Sequence, residues 1–171
     1  MTANDIQLYE YSLKPGYIFL SREPVVISSV LGSCVAVSLW NYQSCFGGVA
    51  HYLYPSADKD LKSQTAKYGD VAVRYLARMF FLEGSVKSDI RAQLFGGAFI
   101  SRESQIVAEE NVSVAKGILS KLDIKIVSED VGGDMGRKLI YNTYTNEAIV
   151  YKANQLRKDD WYPYHHANRS S

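Results

Sequence analysis

The stretch Leu31-Gly32-Ser33-Cys34-Val35-Ala36-Val37 places a cysteine directly after a glycine turn and at the start of an alternating apolar run. A second apolar run, residues 46–53, follows and carries His51 near its end. The alternation predicts a strand over 34–40, and the second run predicts another strand. If the two strands pair antiparallel, Cys34 and His51 meet at one end of a sheet.

A cysteine and a histidine in this arrangement are the two groups that a thiol hydrolase needs. The thiolate is the nucleophile, and the imidazole can hold the proton and stabilise the anion. A lone intracellular cysteine is more often a small buried hydrophobe, and a lone histidine in an apolar strand is more often a core residue. The glycine turn favours the catalytic interpretation of Cys34, because its backbone N–H groups can face a developing oxyanion.

Three further interpretations follow from this assignment. His51 is expected to lower the pKa of the Cys34 thiol by forming an ion pair with the thiolate. Ser28, on the arm that leads into the turn, offers a hydroxyl to orient the imidazole or a substrate amide. Cys45 has no such context and is interpreted as structural.

Outside these runs, the pattern predicts an α+β fold, with mostly antiparallel sheets in a sandwich-like arrangement and two helices packed on them. Residues 25–53 are expected to form a series of antiparallel hairpins. One domain over residues 1–152 and a polar C-terminal tail over 153–171 are expected, with Arg137 in a solvated loop end. The remaining predicted elements are strands at 17–20, 92–95 and 124–127, a hairpin of 138–143 with 147–151, and helices that begin at Asp70 and Asn111 and end near Gly84 and Leu122.

Composition excludes several classes of function. The chain has 171 residues, of which 47% are hydrophobic, and 19 basic and 18 acidic residues leave a net charge of +1. This balance gives no reason to expect nucleic acid or a membrane surface as a partner. No secretory signal or membrane-spanning run is recognised, so a cytoplasmic protein with reduced cysteines is expected. Two cysteines and three histidines match no zinc spacing, and neither a metal nor an organic cofactor is expected.

Six motifs follow one another between about residues 16 and 152, and through them the chain resembles the CheD family of chemoreceptor glutamine deamidases. No single motif would be specific, whereas six in the family's order and spacing are. The motifs are Leu31-Gly32-Ser33-Cys34-Val35-Ala36-Val37, Gly48-Val49-Ala50-His51 with Pro55, Lys67-Tyr68-Gly69-Asp70, Phe95-Gly96-Gly97-Ala98, Asn111-Val112 and Glu129-Asp130-Val131-Gly132-Gly133-Asp134-Met135-Gly136-Arg137.

The resemblance implies an α+β enzyme that hydrolyses selected glutamine side chains of chemoreceptors to glutamate and releases ammonia. It implies the cytoplasmic domain of a chemoreceptor (a methyl-accepting chemotaxis protein) as substrate and a CheC-type phosphatase as a further partner. By position, Cys34 matches the family nucleophile, His51 the family histidine and Ser28 the family threonine.

Two departures from the family pattern keep an alternative open. Ser28 stands where the family has threonine, and the stretch 107–111 carries acidic residues where the family has a basic one. Val30 also replaces a common glycine. The alternative is a non-catalytic regulatory module that binds chemoreceptors or a CheC-type phosphatase. Deamidation of a receptor fragment would distinguish the two functions.

Overall fold

The computed structural model describes residues 8–57 and 64–154, and within them lie nine strands and two α-helices. None of these helices is long and apolar enough to cross a membrane. The elements are β1 (Tyr9–Ser12), β2 (Tyr17–Ser21), β3 (Val25–Leu31), β4 (Val35–Asn41), β5 (Phe46–Tyr52), α1 (Gly69–Leu82), a 3-10 turn (Lys87–Asp89), β6 (Ile90–Gly96), α2 (Arg102–Lys121), β7 (Lys125–Val131), β8 (Gly136–Asn142) and β9 (Ala148–Ala153).

The strands form two sheets. The small sheet has the order β1-β3-β8-β9, and the large sheet has the order β2-β5-β4-β6-β7. Two neighbouring pairs, β1 with β3 and β6 with β7, are parallel, and the other pairs are antiparallel. The predicted α+β fold with mostly antiparallel sheets and two helices is confirmed.

The side chains of β4 alternate between two cores, because successive side chains of a strand point to opposite faces. Val35, Val37 and Leu39 are fully buried in the core that the large sheet shares with the two helices. Ala36 belongs instead to a second core, which lies between the two sheets and includes Ile27 of β3. The large sheet is therefore the middle layer, with the small sheet on one side and the helices on the other.

The expected hairpin series is wrong at one point, since β3 and β4 do not pair with each other. Both edges of β4 are already occupied, by β5 and by β6, and β3 pairs with β1 and β8 instead. The turn of residues 32–34 therefore carries the chain from the small sheet to the large sheet. This crossing brings the predicted nucleophile to the junction of the two layers.

Two element boundaries also differ from the prediction. Helix α2 begins at Arg102 rather than at Asn111, and Ser101 caps it by accepting a hydrogen bond from the Ser104 N–H. All but one of the residues in the first two turns of α2 are exposed or half-buried and most are polar, so the apolar spacing that marks a helix begins only later. Strand β1 lies before the first predicted strand, in a segment for which no strand is predicted from the sequence. The predicted tail lies outside the described residues from position 155 onward.

Candidate active site

Cys34 and His51 lie on the same face of the large sheet. The register of β4 and β5 places Ala36 opposite His51, and Cys34 precedes Ala36 by two positions and so shares its face. Cys34 and His51 are then diagonal neighbours, with backbones about 7–8 Å apart. Cys34 is 7% exposed and His51 is fully buried. The predicted antiparallel pairing of these two strands is confirmed.

The His51 imidazole is held from one side by the small sheet. Its Nδ1 atom lies 2.8 Å from Ser29 Oγ and 3.3 Å from the Leu13 carbonyl oxygen. Ser29 Oγ also lies 2.9 Å from the same carbonyl. A carbonyl only accepts, so the Ser29 hydroxyl donates its single proton to Leu13, and its oxygen is then free to accept a proton from Nδ1.

This network determines the tautomer of His51. With the proton on Nδ1, the other ring nitrogen, Nε2, is left with a lone pair. His51 Nε2 is buried and has no hydrogen-bond partner among the described residues. A buried, unpaired acceptor is the form of imidazole that can take a proton from a neighbouring thiol.

The structure brings Ser29, not Ser28, to the imidazole. Ser29 is buried, with a relative exposure of 3%, and it shares the inward face of β3 with Ile27 and Leu31. Ser28 lies one residue out of phase, so its side chain leaves the opposite face of the strand. The hydroxyl that contacts the imidazole therefore belongs to the residue that follows the predicted one.

The backbone around Cys34 is held by three hydrogen bonds to carbonyl oxygens. The Gly97 N–H donates to the Cys34 carbonyl at 2.8 Å, and the Ala98 N–H donates to the Gly32 carbonyl at 2.8 Å. The third donor is the side-chain amide of Asn111, which lies 3.0 Å from the Ser33 carbonyl. The turn that presents the thiol is therefore fixed on both sides of the nucleophile.

The double glycine at the end of β6 allows the Gly97 contact. Gly96 has φ +105, and a Cβ atom there would overlap the carbonyl oxygen of Cys34. Both the backbone conformation and the close approach require glycine.

Burial sets the protonation state of the pair. It raises the pKa of the Cys34 thiol to about 11, against a smaller lowering by the backbone N–H of Cys34 itself. Burial also lowers the pKa of His51 to about 4, against a smaller raising by the Leu13 carbonyl. Both directions are opposite to those expected for an ion pair. At neutral pH the resting protein therefore holds a neutral thiol beside a neutral imidazole.

A cavity of about 500 Å³ opens beside the turn and is lined by Gly32 and Ser33 on one side and Asp134 on the other. Arg137 supports the loop that carries Asp134. Its guanidinium donates to the carbonyls of Gly132 and Met135 and pairs with Asp130. The prediction that Arg137 is solvated is wrong, because it is 2% exposed. The cavity therefore borders the two residues that precede Cys34, while Cys34 and His51 are not among the residues that line it.

No group of three or more His, Cys, Asp and Glu side chains within residues 8–57 and 64–154 is placed to hold a metal ion. The site instead consists of a thiol, an imidazole and a hydroxyl at the junction of two sheets. It defines an α+β protein with a candidate cysteine–histidine centre.

The chain belongs to the CheD family, whose model, described as CheD chemotactic sensory transduction, matches residues 53–152. It is 32% identical over 164 residues to the probable chemoreceptor glutamine deamidase CheD 2 of Geobacter sulfurreducens, covering 93% of this chain and 99% of that protein. It is 36% identical over 138 residues to the probable chemoreceptor glutamine deamidase CheD of Methanosarcina barkeri, covering 79% and 91%. A protein of the same name from Sulfurimonas denitrificans is 40% identical over 137 residues, covering 78% and 87%.

Proposed function

We propose that this chain hydrolyses glutamine side chains of chemoreceptors to glutamate and ammonia, with Cys34 as the nucleophile. The observation that carries the proposal is the His51 imidazole, whose Nδ1 faces Ser29 Oγ and the Leu13 carbonyl and whose buried Nε2, on the face shared with Cys34, has no hydrogen-bond partner among the described residues. The names of the relatives support the reaction and the substrate class. The reaction requires neither a metal nor an organic cofactor.

The first half of the reaction makes a thioester. As the Cys34 sulfur attacks the amide carbon of the glutamine, His51 Nε2 takes the thiol proton. General-base removal is needed because the resting thiol is neutral. The carbonyl oxygen becomes an oxyanion beside the backbone N–H of Cys34. The imidazolium then gives its proton to the departing nitrogen, and ammonia leaves.

The second half uses the same imidazole on water. His51 Nε2 takes a proton from a water molecule, whose oxygen attacks the thioester carbon. The carbon–sulfur bond breaks, the proton returns to the sulfur, and glutamate is released. Ser29 and the Leu13 carbonyl hold the Nδ1 proton throughout, and the imidazolium is stabilised by donating to them. Ser29 is therefore the positioning hydroxyl in this proposal.

The test is incubation with a purified cytoplasmic fragment of a chemoreceptor. Each converted glutamine releases one ammonia and adds about 1 Da to the fragment, because NH2 becomes OH. Cys34→Ala should abolish both changes. The control is Cys45→Gly, which removes the second thiol at a residue whose φ is 51 and therefore suits glycine. Binding of the fragment by wild-type protein without any mass change would instead support the non-catalytic regulatory module.

The proposed setting is the cytoplasm, where the receptor domain lies. A CheC-type phosphatase, implied by the resemblance, is proposed as a second partner. A titration of labelled protein with purified phosphatase tests this interaction, and absence of binding at micromolar concentrations would remove it.

A further inference from the structure

Asn111 binds the backbone beside both strands of the site, β4 and β5, from the helix side of the large sheet. It lies in the middle of α2 and is fully buried. Its Nδ2 atom donates to the Ser33 carbonyl at 3.0 Å and to the Leu53 carbonyl at 2.9 Å. Ser33 directly precedes the nucleophile, and Leu53 follows His51 by two positions. One amide thus holds the backbone next to both reacting side chains.

The orientation of this amide is fixed by its surroundings. Two carbonyl oxygens face the same atom, and only the NH2 end of an asparagine can donate to both. The backbone carbonyl of Asn111 in turn accepts a hydrogen bond from the Tyr52 hydroxyl at 2.6 Å. Both the side chain and the backbone of Asn111 are therefore attached to the catalytic end of the large sheet.

The arrangement also carries a cost in stability. Asn111 Oδ1 is buried and has no hydrogen-bond partner among the described residues. A buried acceptor without a partner costs free energy. Asparagine is also a weaker helix former than the aliphatic residues that would fit an apolar helix face. The gain must come from the two carbonyls that the amide holds.

Holding the Ser33 carbonyl fixes the direction of the next N–H group. A trans peptide is planar, so the carbonyl of Ser33 and the N–H of Cys34 point in opposite directions. With the carbonyl directed at Asn111 in the helix layer, the N–H is directed away from that layer. It lies close enough to its own sulfur to lower the pKa of the thiol. An oxyanion formed by attack of that sulfur would develop beside this N–H.

We infer that Asn111 is a positioning residue that holds the Ser33–Cys34 peptide so that the Cys34 N–H faces the oxyanion. This inference rests on the proposed deamidase function. Asn111 does not touch the substrate and acts through the backbone. Its removal should therefore slow the steps that form an oxyanion by much more than it changes the reactivity of the thiol, on which this N–H has a smaller effect than burial has.

The test compares Asn111→Ala and Asn111→Leu with Asn41→Ala. Leucine has as many side-chain heavy atoms as asparagine and a higher helix propensity, so this variant limits the loss of packing. Asn41 is a matched control because it is also buried, and its amide donates to Ser85 Oγ at 2.8 Å. It lies at the opposite end of β4 from Cys34. Folding of each variant is checked by thermal unfolding before any other measurement.

Three quantities are measured on each folded variant. For both Asn111 variants we expect kcat for ammonia release to fall roughly 10- to 100-fold with little change in KM, the size expected from a misplaced oxyanion donor. Alkylation of Cys34 by iodoacetamide at pH 9 should remain near the wild-type rate, because displacement of iodide by sulfur forms no oxyanion. Asn41→Ala should match the wild type in both measurements.

The third quantity does not require turnover. A receptor peptide in which the glutamine amide is replaced by an aldehyde adds the Cys34 sulfur at its carbonyl carbon, and the thiol proton ends on the oxygen. This adduct should weaken in the Asn111 variants by a factor similar to the loss of kcat. A wild-type protein that forms the adduct but releases no ammonia would refute the proposed function while leaving the inference testable through the adduct.

Two results would overturn the inference itself. Equal losses of adduct in Asn41→Ala and Asn111→Ala would show only a structural role. Alkylation that slows in parallel with loss of the adduct would place the effect of Asn111 on the thiol rather than on the peptide N–H.

Discussion

The neutral state of the Cys34–His51 pair predicts how the thiol responds to pH. At pH 7 a thiol with a pKa of about 11 is ionised in about one molecule in 10⁴, whereas an ordinary cysteine is ionised in about three in 100. Because the thiolate is the species that reacts, Cys34 should react with iodoacetamide roughly 300-fold more slowly than a free thiol at this pH. Its rate should then rise about tenfold for each pH unit up to pH 10.

The assay is peptide mass spectrometry of the Cys34 peptide after timed alkylation between pH 5 and pH 10, in wild type and in His51→Ala. Since burial raises the pKa of Cys34, removal of the imidazole should not slow the reaction, and water entering the space left by the ring should speed it. This reasoning would be refuted if the alkylation rate of the wild type stayed constant below pH 7 and the rate of His51→Ala at the same pH values were lower. That pattern would show a thiolate stabilised by an imidazolium.

Three further predictions concern neighbouring groups. Ser29→Ala should lower kcat roughly 10- to 100-fold by freeing the imidazole, with Ser28→Ala close to wild type; the reverse order in an ammonia assay would favour the residue chosen from the sequence. The folded-state pKa of His51, about 4, lies below its ordinary 6.5, so its contribution to stability is complete above pH 6.5 and is lost as pH falls toward 4, by about 3 kcal/mol. The urea midpoint of wild type relative to His51→Gln should decline over that window, and parallel curves would contradict the shift. Gly96→Ala should destabilise the protein by clearly more than Gly84→Ala, because both have positive φ but only Gly96 faces backbone; equal losses in thermal unfolding would show that strain alone matters.

Much of the large sheet could be predicted from the sequence. Alternation along β4 and the apolar run of β5 marked two strands, and their pairing placed Cys34 and His51 on one face. The assignment of β3 to a different sheet could not be predicted in the same way. It depends on which strands occupy the two edges of β4, and β6, which occupies one of them, is distant in sequence.

The choice between Ser28 and Ser29 shows a second limit. Because successive side chains of a strand point to opposite faces, an error of one residue places the predicted side chain on the wrong face. The run Val25-Val26-Ile27 has no alternation from which the inward face could be recognised. The face is set by packing against the large sheet. The contacts of Asn111 could not be predicted either, because an asparagine before an apolar run resembles a helix cap.

The origin of the groups around His51 has a consequence for the newly made chain. The thiol and the imidazole belong to the large sheet, but Ser29 and the Leu13 carbonyl come from the small-sheet side. A partly folded chain with both sheets formed but not yet packed together would carry the thiol without a correctly protonated base. Such a chain should be inert toward glutamine, so the proposed activity should appear only after the two layers have packed together.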